Sequence, residues 1–194
     1  MARVSRPCAF LDRDGTINKR PPEHEYVTSA AQFEWLPGAV ESLVRLARAG
    51  YALAVASNQR GVARGLVDEA VLAAVEERIQ ERLRPYGCRV EAFAYCMHDH
   101  DANCSCRKPR PGLILDLAAR LDADLGRSWM IGDSVTDVVA GRAAGCRTAL
   151  VGNGAAGTSA DLVAGSLVEA SRLITAGADR PPAPRTLVRA RGRC

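Results

Sequence analysis

The chain has 194 residues, of which 47% are apolar, 25% charged and 5% aromatic, with a formal net charge of +4. That length and apolar fraction support one ordinary domain with a buried core, and they exclude disorder, collagen-like repeats and a miniprotein held by disulfides. Among 26 basic residues only Lys19 and Lys108 are lysines.

In chain order, the first apolar run predicts a strand over 8–11, which ends in Asp12-Arg13-Asp14-Gly15-Thr16. The polar stretch 18–26 follows, with Lys19, Arg20 and His24, and then a turn at Pro37-Gly38. A helix is predicted over 39–49, closed by Gly50. The next strand, 51–56, ends in Ser57-Asn58-Gln59, and Asp68 is placed to cap a helix over 68–84. A strand over 90–95 runs into a loop rich in Cys and His, after which Pro111-Gly112 opens a helix over 112–121. A strand over 129–131 ends in Gly132-Asp133-Ser134, followed by a helix over 134–144 and a strand over 148–151. This alternation predicts βα units on a mainly parallel sheet. Every polar cluster falls just after a strand, where open α/β sheets bind ligands, so four clusters are expected to converge on one site.

Asp12 and Asp14 alone would be compatible with a solvated turn. Asp133 and Asp137 add a second acidic pair after another strand, and like charges brought together are costly unless a cation lies between them. Carboxylate oxygens at that density suit Mg²⁺, and a hard cation beside a carboxylate points to phosphate chemistry. Lys108, between Arg107 and Arg110, supplies the opposite charge, while Ser57 offers a hydroxyl and Asn58 an amide.

The segments DRDGT, SNQ, RKPRPG and GDSVTD, in this order and spacing, resemble the four motifs of the haloacid dehalogenase superfamily of phosphohydrolases, over about residues 9–146. The resemblance implies a Rossmann-like three-layer sandwich with a minimal cap, and hydrolysis through an aspartyl-phosphate intermediate. Asp12 would be the nucleophile, and Asp14 would protonate the leaving alcohol and then act as base on the attacking water. Mg²⁺ would be held by the Asp12 carboxylate, the Asp14 backbone carbonyl and the Asp133 carboxylate. Asp137 would either support the metal or cap its helix. Ser57 and Lys108 would hold the transferring phosphoryl group.

Cys96, His98, Cys104 and Cys106 fall within eleven residues, the ligand set of a closed tetrahedral zinc site. His98 sits in the tighter motif and is preferred over His100. The spacing is not that of a zinc finger, so the expected role is to staple the loop that presents Lys108. With NQRGVARG after the second strand, this loop resembles the one shared by bacterial D-glycero-D-manno-heptose-1,7-bisphosphate phosphatases and histidinol-phosphate phosphatases. It leans toward the former, which implies removal of the 7-phosphate from a small phosphorylated sugar; histidinol phosphate is the second expectation. Substrate contacts are expected from Asn58, Arg107, Lys19, Arg20 and Arg64, although Lys19 and Arg20 also suit a solvated surface. Where the family often carries a basic residue, this chain has Ser134.

A zinc-dependent nucleic-acid-binding module is the competing class. Residues 180–194 carry five arginines and no acid, whereas residues 1–179 carry 21 basic and 22 acidic side chains. The excess charge therefore belongs to a Pro- and Arg-rich tail, expected to be mobile beyond a phosphatase domain at 1–179. A nearly neutral body with few aromatics argues against a nucleic-acid partner. No apolar run approaches the roughly 18–20 residues of a membrane span, and early acids preclude a signal-peptide core, so a cytoplasmic protein without a membrane partner is expected. Cys8, Cys88, Cys146, Trp35, Tyr51 and Trp129 are expected in or near the core, and a monomer is the default, since no exposed apolar stripe is evident.

Overall fold

Along β2 (Ala52–Asn58) the side chains alternate between two cores: Leu53 and Val55 enter one, Ala52, Ala54 and Ala56 the other. Each strand of a parallel sheet buried on both faces behaves in this way. The computed structural model describes residues 5–152 and 159–176. Its sheet also contains β1 (Cys8–Leu11), β3 (Ala92–Cys96), β4 (Trp129–Gly132), β5 (Arg147–Val151) and β6 (Leu162–Ala164), in the order β3-β2-β1-β4-β5-β6. All neighbouring strands are parallel.

The first core is closed by α1 (Ala39–Arg48), α2 (Glu69–Leu83) and α5 (Leu167–Ala176), through Leu43, Leu46, Val75, Ile79, Leu167 and Ile174. The second is closed by α3 (Gly112–Leu121) and α4 (Val135–Ala144), through Leu113, Ile114, Leu117 and Ala140. Three layers result, as the Rossmann-like reading expects. Cys8, Cys146 and Trp129 are buried, while Cys88, Trp35 and Tyr51 pack partly buried against the core.

All five expected strands and four expected helices form, with ends shifted by at most two residues. Asp68 accepts the Ala70 N–H at 2.8 Å and caps α2, and Gly50 follows α1 with a positive φ. Strand β6 and helix α5 have no counterpart in the sequence reading. The tail 180–194 and the domain boundary at 179 lie outside the described residues. No helix among the described residues is long and apolar enough to cross a membrane.

β1 is the point at which the strand order turns outward in both directions, so a crevice opens beyond the ends of β1 and β4. The chain leaving β1 folds back beside that crevice: Lys19 N–H bonds Glu34 O at 2.8 Å and Leu36 N–H bonds Ile17 O at 3.0 Å. Between these ties, the stretch up to Trp35 holds one short 3-10 turn, Ala30–Gln32, and takes the place of a cap.

Candidate active site and metal centre

Asp12 emerges as β1 ends, its N–H bonded to Ile131 O of β4 at 2.9 Å. Asp133 follows the end of β4, and Asp137 stands in the first turn of α4. Lys108 arrives from the loop after β3 and is stitched to β2 by Asn58, whose side chain accepts the Lys108 N–H and donates to its carbonyl, each at 3.1 Å. The Lys108 side chain is buried. Its Nζ donates to Asp12 Oδ1 and to Ala56 O, both at 2.7 Å, and lies 2.6 Å from Asp137 Oδ1 in an ion pair off the hydrogen-bonding line. Oxygens of Asp12, Asp133 and Asp137 all fall within 4.8 Å of one another. A Cβ on Gly15 would collide with the Asp133 carboxylate, and one on Gly132 with Asp137, so both turns require glycine for this approach.

The electrostatics follow from this crowding. Burial pushes the Asp137 carboxyl up to about 6, with the charge of Asp12 adding and Lys108 opposing. Burial likewise raises Asp133, supported by Asp12 and opposed by Arg20, whose Nε donates to Asp133 Oδ2 at 2.9 Å. Burial acts to lower Lys108, but the charges of Asp12 and Asp137 outweigh it and keep the ammonium charged. Of the two roles open in the sequence, Asp137 takes that of the helix cap, accepting the Ser134 N–H at 3.1 Å in a capping box that starts α4, and its carboxylate also faces Lys108.

Asp14 is held apart from this group. Arg13, only 1% exposed, donates to both of its oxygens at 3.1 and 2.9 Å, Gln59 donates at 2.8 Å and Asn18 at 2.8 Å. Gln59 also donates to Ser57 Oγ at 3.1 Å and accepts from Arg13 at 3.1 Å. Burial pushes the Asp14 carboxyl up, yet Arg13 and these hydrogen bonds prevail and bring it down, so the group rests as a carboxylate. Arg13, Asn18 and Gln59 were absent from the sequence-based site. An arginine between two aspartates reads as a surface charge, and its burial depends on Gln59, 46 residues away.

The second cluster begins at the last residue of β3. Cys96 Sγ lies 3.7 Å from His98 Nδ1 and 3.6 Å from Cys104 Sγ, and Cys106 Sγ lies 3.3 Å from His98 Nδ1. Donors around a tetrahedral zinc, each about 2.3 Å from the metal, stand about 3.8 Å apart, so these four groups fit one. Desolvation opposes ionisation of Cys104, but the Arg107 N–H and the neighbouring thiols bring it down to about 7, while burial and the same thiols push Cys106 up to about 12. One thiolate forms readily and a second beside it is opposed, the situation a bound cation resolves. Arg110 ties the loop by donating to Asn103 Oδ1 and Cys104 O. His100 lies in a 3-10 turn outside the cluster.

A cavity of about 980 Å³ opens above the carboxylates, lined by Ser57, Asn58, Lys108, Arg20 and Arg107 among others. Two expected substrate contacts, Lys19 and Arg64, lie off this lining. Lys19 is exposed, paired with Glu34 at 3.4 Å and off the cavity lining, because its own N–H bonds to Glu34 O and turns it outward. Arg64 is also off the lining, and its charge acts on the Tyr26 hydroxyl. Arg60, nearer the end of β2, occupies the lining instead.

The Hydrolase_like family, described as HAD-hyrolase-like, matches residues 105–170. The chain is 39% identical over 151 residues to a D-glycero-beta-D-manno-heptose-1,7-bisphosphate 7-phosphatase of Pseudomonas aeruginosa, covering 78% of this chain and 84% of that one. It is 38% identical over 168 residues to the alpha-anomer enzyme of Mycobacterium tuberculosis, covering 84% and 88%. Among solved structures, the D,D-heptose 1,7-bisphosphate phosphatase of B. bronchiseptica, complexed with magnesium and phosphate, superposes with a TM-score of 0.77 at 34% identity, over 87% of this chain and 97% of that one.

Proposed function

The chain belongs to the D,D-heptose 1,7-bisphosphate phosphatase family of HAD-like hydrolases, and from that membership we propose that it removes the 7-phosphate of D-glycero-D-manno-heptose 1,7-bisphosphate. The observation that carries this reading is the meeting of Asp12, Lys108, Asp133 and Asp137 at the crevice between β1 and β4, beneath a cavity large enough for a phosphorylated sugar.

In the proposed reaction Asp12 attacks phosphorus in line with the sugar oxygen, and an acyl phosphate forms as the P–O bond to the sugar breaks. Asp14, once released from its Arg13–Gln59–Asn18 clamp, takes up a proton from solvent and passes it to the departing alkoxide, then takes one from the water that attacks the acyl phosphate. Lys108 balances charge on the phosphoryl oxygens, and Ser57 Oγ, beside Gln59, is placed to donate to them. Mg²⁺, held by the Asp12 and Asp133 carboxylates and the Asp14 carbonyl with Asp137 in support, would neutralise phosphoryl charge. The three carboxylates fit such an ion, since they lie within 4.8 Å of one another and two are raised by mutual repulsion and burial.

A substrate panel tests the reading. Phosphate release with Mg²⁺ is expected to be fastest from the heptose bisphosphate; a higher kcat/KM for histidinol phosphate would contradict it. The pH dependence of Mg²⁺ binding provides a second check. Because the Asp137 carboxyl is raised to about 6, protons compete with the cation below that pH. Calorimetry is expected to give an affinity that is level above about pH 7 and falls several-fold toward about pH 5; an affinity that rises on acidification would contradict the assignment.

Zinc at Cys96, His98, Cys104 and Cys106 completes the proposal as a structural ion that fixes the backbone of Arg107 and Lys108. Elemental analysis is expected to find one zinc per chain. Cys104→Ser should lose it and melt earlier; a zinc-free protein with unchanged melting and turnover would overturn the role.

A further inference from the structure

We infer that Arg60, together with Arg107, receives the second, non-reacting phosphate of the substrate and makes Arg60 the residue that selects bisphosphates over monophosphates. The inference rests on the substrate reading above and deepens it. The cations that line the cavity differ in how far their donors are already engaged. Lys108 is saturated by Asp12, Ala56 and Asp137, Arg20 is forked onto Asp133, and Arg110 is bound into the Cys/His loop. Arg60 and Arg107 have only long contacts: Arg60 Nε stands 3.4 Å from the Tyr26 hydroxyl and its Nη1 3.7 Å from Asp99, while Arg107 Nη1 stands 3.4 Å from His98 O. These two guanidiniums therefore keep donors free for an anion, and a planar fork matches two phosphate oxygens at once.

Position supports the same assignment. Arg60 lies three residues after Ser57, so its Cα is at most about 11 Å from that of Ser57, the reach of a sugar carrying a phosphate at each end. Its base is seated firmly, because Gly61 packs against the Tyr26 ring so closely that a Cβ would stand 2.8 Å from Tyr26 Cδ1. Tyr26 thus acts as a positioning residue, with its hydroxyl facing Arg60 Nε. Asp99 is the competing carboxylate, but a partly exposed pair at 3.7 Å, beyond hydrogen-bonding distance, is weak and yields to a phosphate dianion.

The test compares kcat/KM for heptose 1,7-bisphosphate with that for heptose 7-phosphate in wild type, Arg60→Ala and Arg60→Lys. The wild type is expected to prefer the bisphosphate. In Arg60→Ala that preference should fall about tenfold to a hundredfold, the loss of a charge-assisted contact, chiefly through KM for the bisphosphate. Arg60→Lys should restore part of it, because the charge remains while the fork is lost. A preference unchanged in Arg60→Ala, in an enzyme that does discriminate, would overturn the phosphate receptor and leave the substrate reading intact. A wild type with no preference would overturn both.

Discussion

Asp12→Asn is expected to abolish phosphate release, lowering kcat by about 10⁴-fold or more, because an amide cannot form the acyl phosphate on which both half-reactions depend. The substitution is nearly isosteric, and Asn keeps an oxygen for the Lys108 ammonium, which meets Asp12 Oδ1 at 2.7 Å. It also removes one of three crowded negative charges, so without added cation the variant should melt no lower than wild type. Circular dichroism melting and phosphate-release kinetics on the same preparation check both halves. A variant that retains activity within tenfold would remove Asp12 from the nucleophile's role.

Lys108→Met is expected to injure both fold and reaction. The ammonium is buried, 4% exposed, and its removal leaves Asp12 and Asp137 facing each other with Asp133 nearby and no permanent cation between them. Breaking a buried ion pair by deleting one partner costs about 3–5 kcal/mol. Urea denaturation in chelator should show that loss, and saturating Mg²⁺ should recover part of it by supplying a cation to the same oxygens. Turnover should drop by about 10²–10³-fold with Mg²⁺ present, as for the loss of one preorganised charge. A variant as stable as wild type in chelator would show that Lys108 does not balance these carboxylates.

Much of this site is legible in the sequence because it is built from strand ends. A strand ending in acids, followed or preceded by a glycine, announces itself locally, and a parallel sheet brings several such ends to one edge; Asp12 and Asp133 are legible in that way, and Lys108 as one of two lysines, set between two arginines beyond the third strand. The parts that were not legible depend on contacts across the chain. Arg13 reads as a turn charge until Gln59 encloses it, and Lys19 reads as a substrate contact until Glu34 turns it outward. Arg64 and Arg60 are the same residue type in one segment, and only the fold shows that Arg60, nearer the end of β2, lines the cavity. In α5 the signal was present, since Leu167, Ala170, Ser171 and Ile174 recur at helical spacing and are buried. Strand β6, with three residues, is too short to show an alternation.

In the proposed reaction Asp12 carries the phosphoryl group between sugar and water. Rapid acid quench during turnover of heptose 1,7-bisphosphate, followed by mass spectrometry of the digested protein, tests it directly. A transient phosphoryl adduct on Asp12 is expected, formed and lost at rates compatible with turnover. An adduct on another residue, or turnover with no adduct at any time within the dead time of the quench, would contradict it.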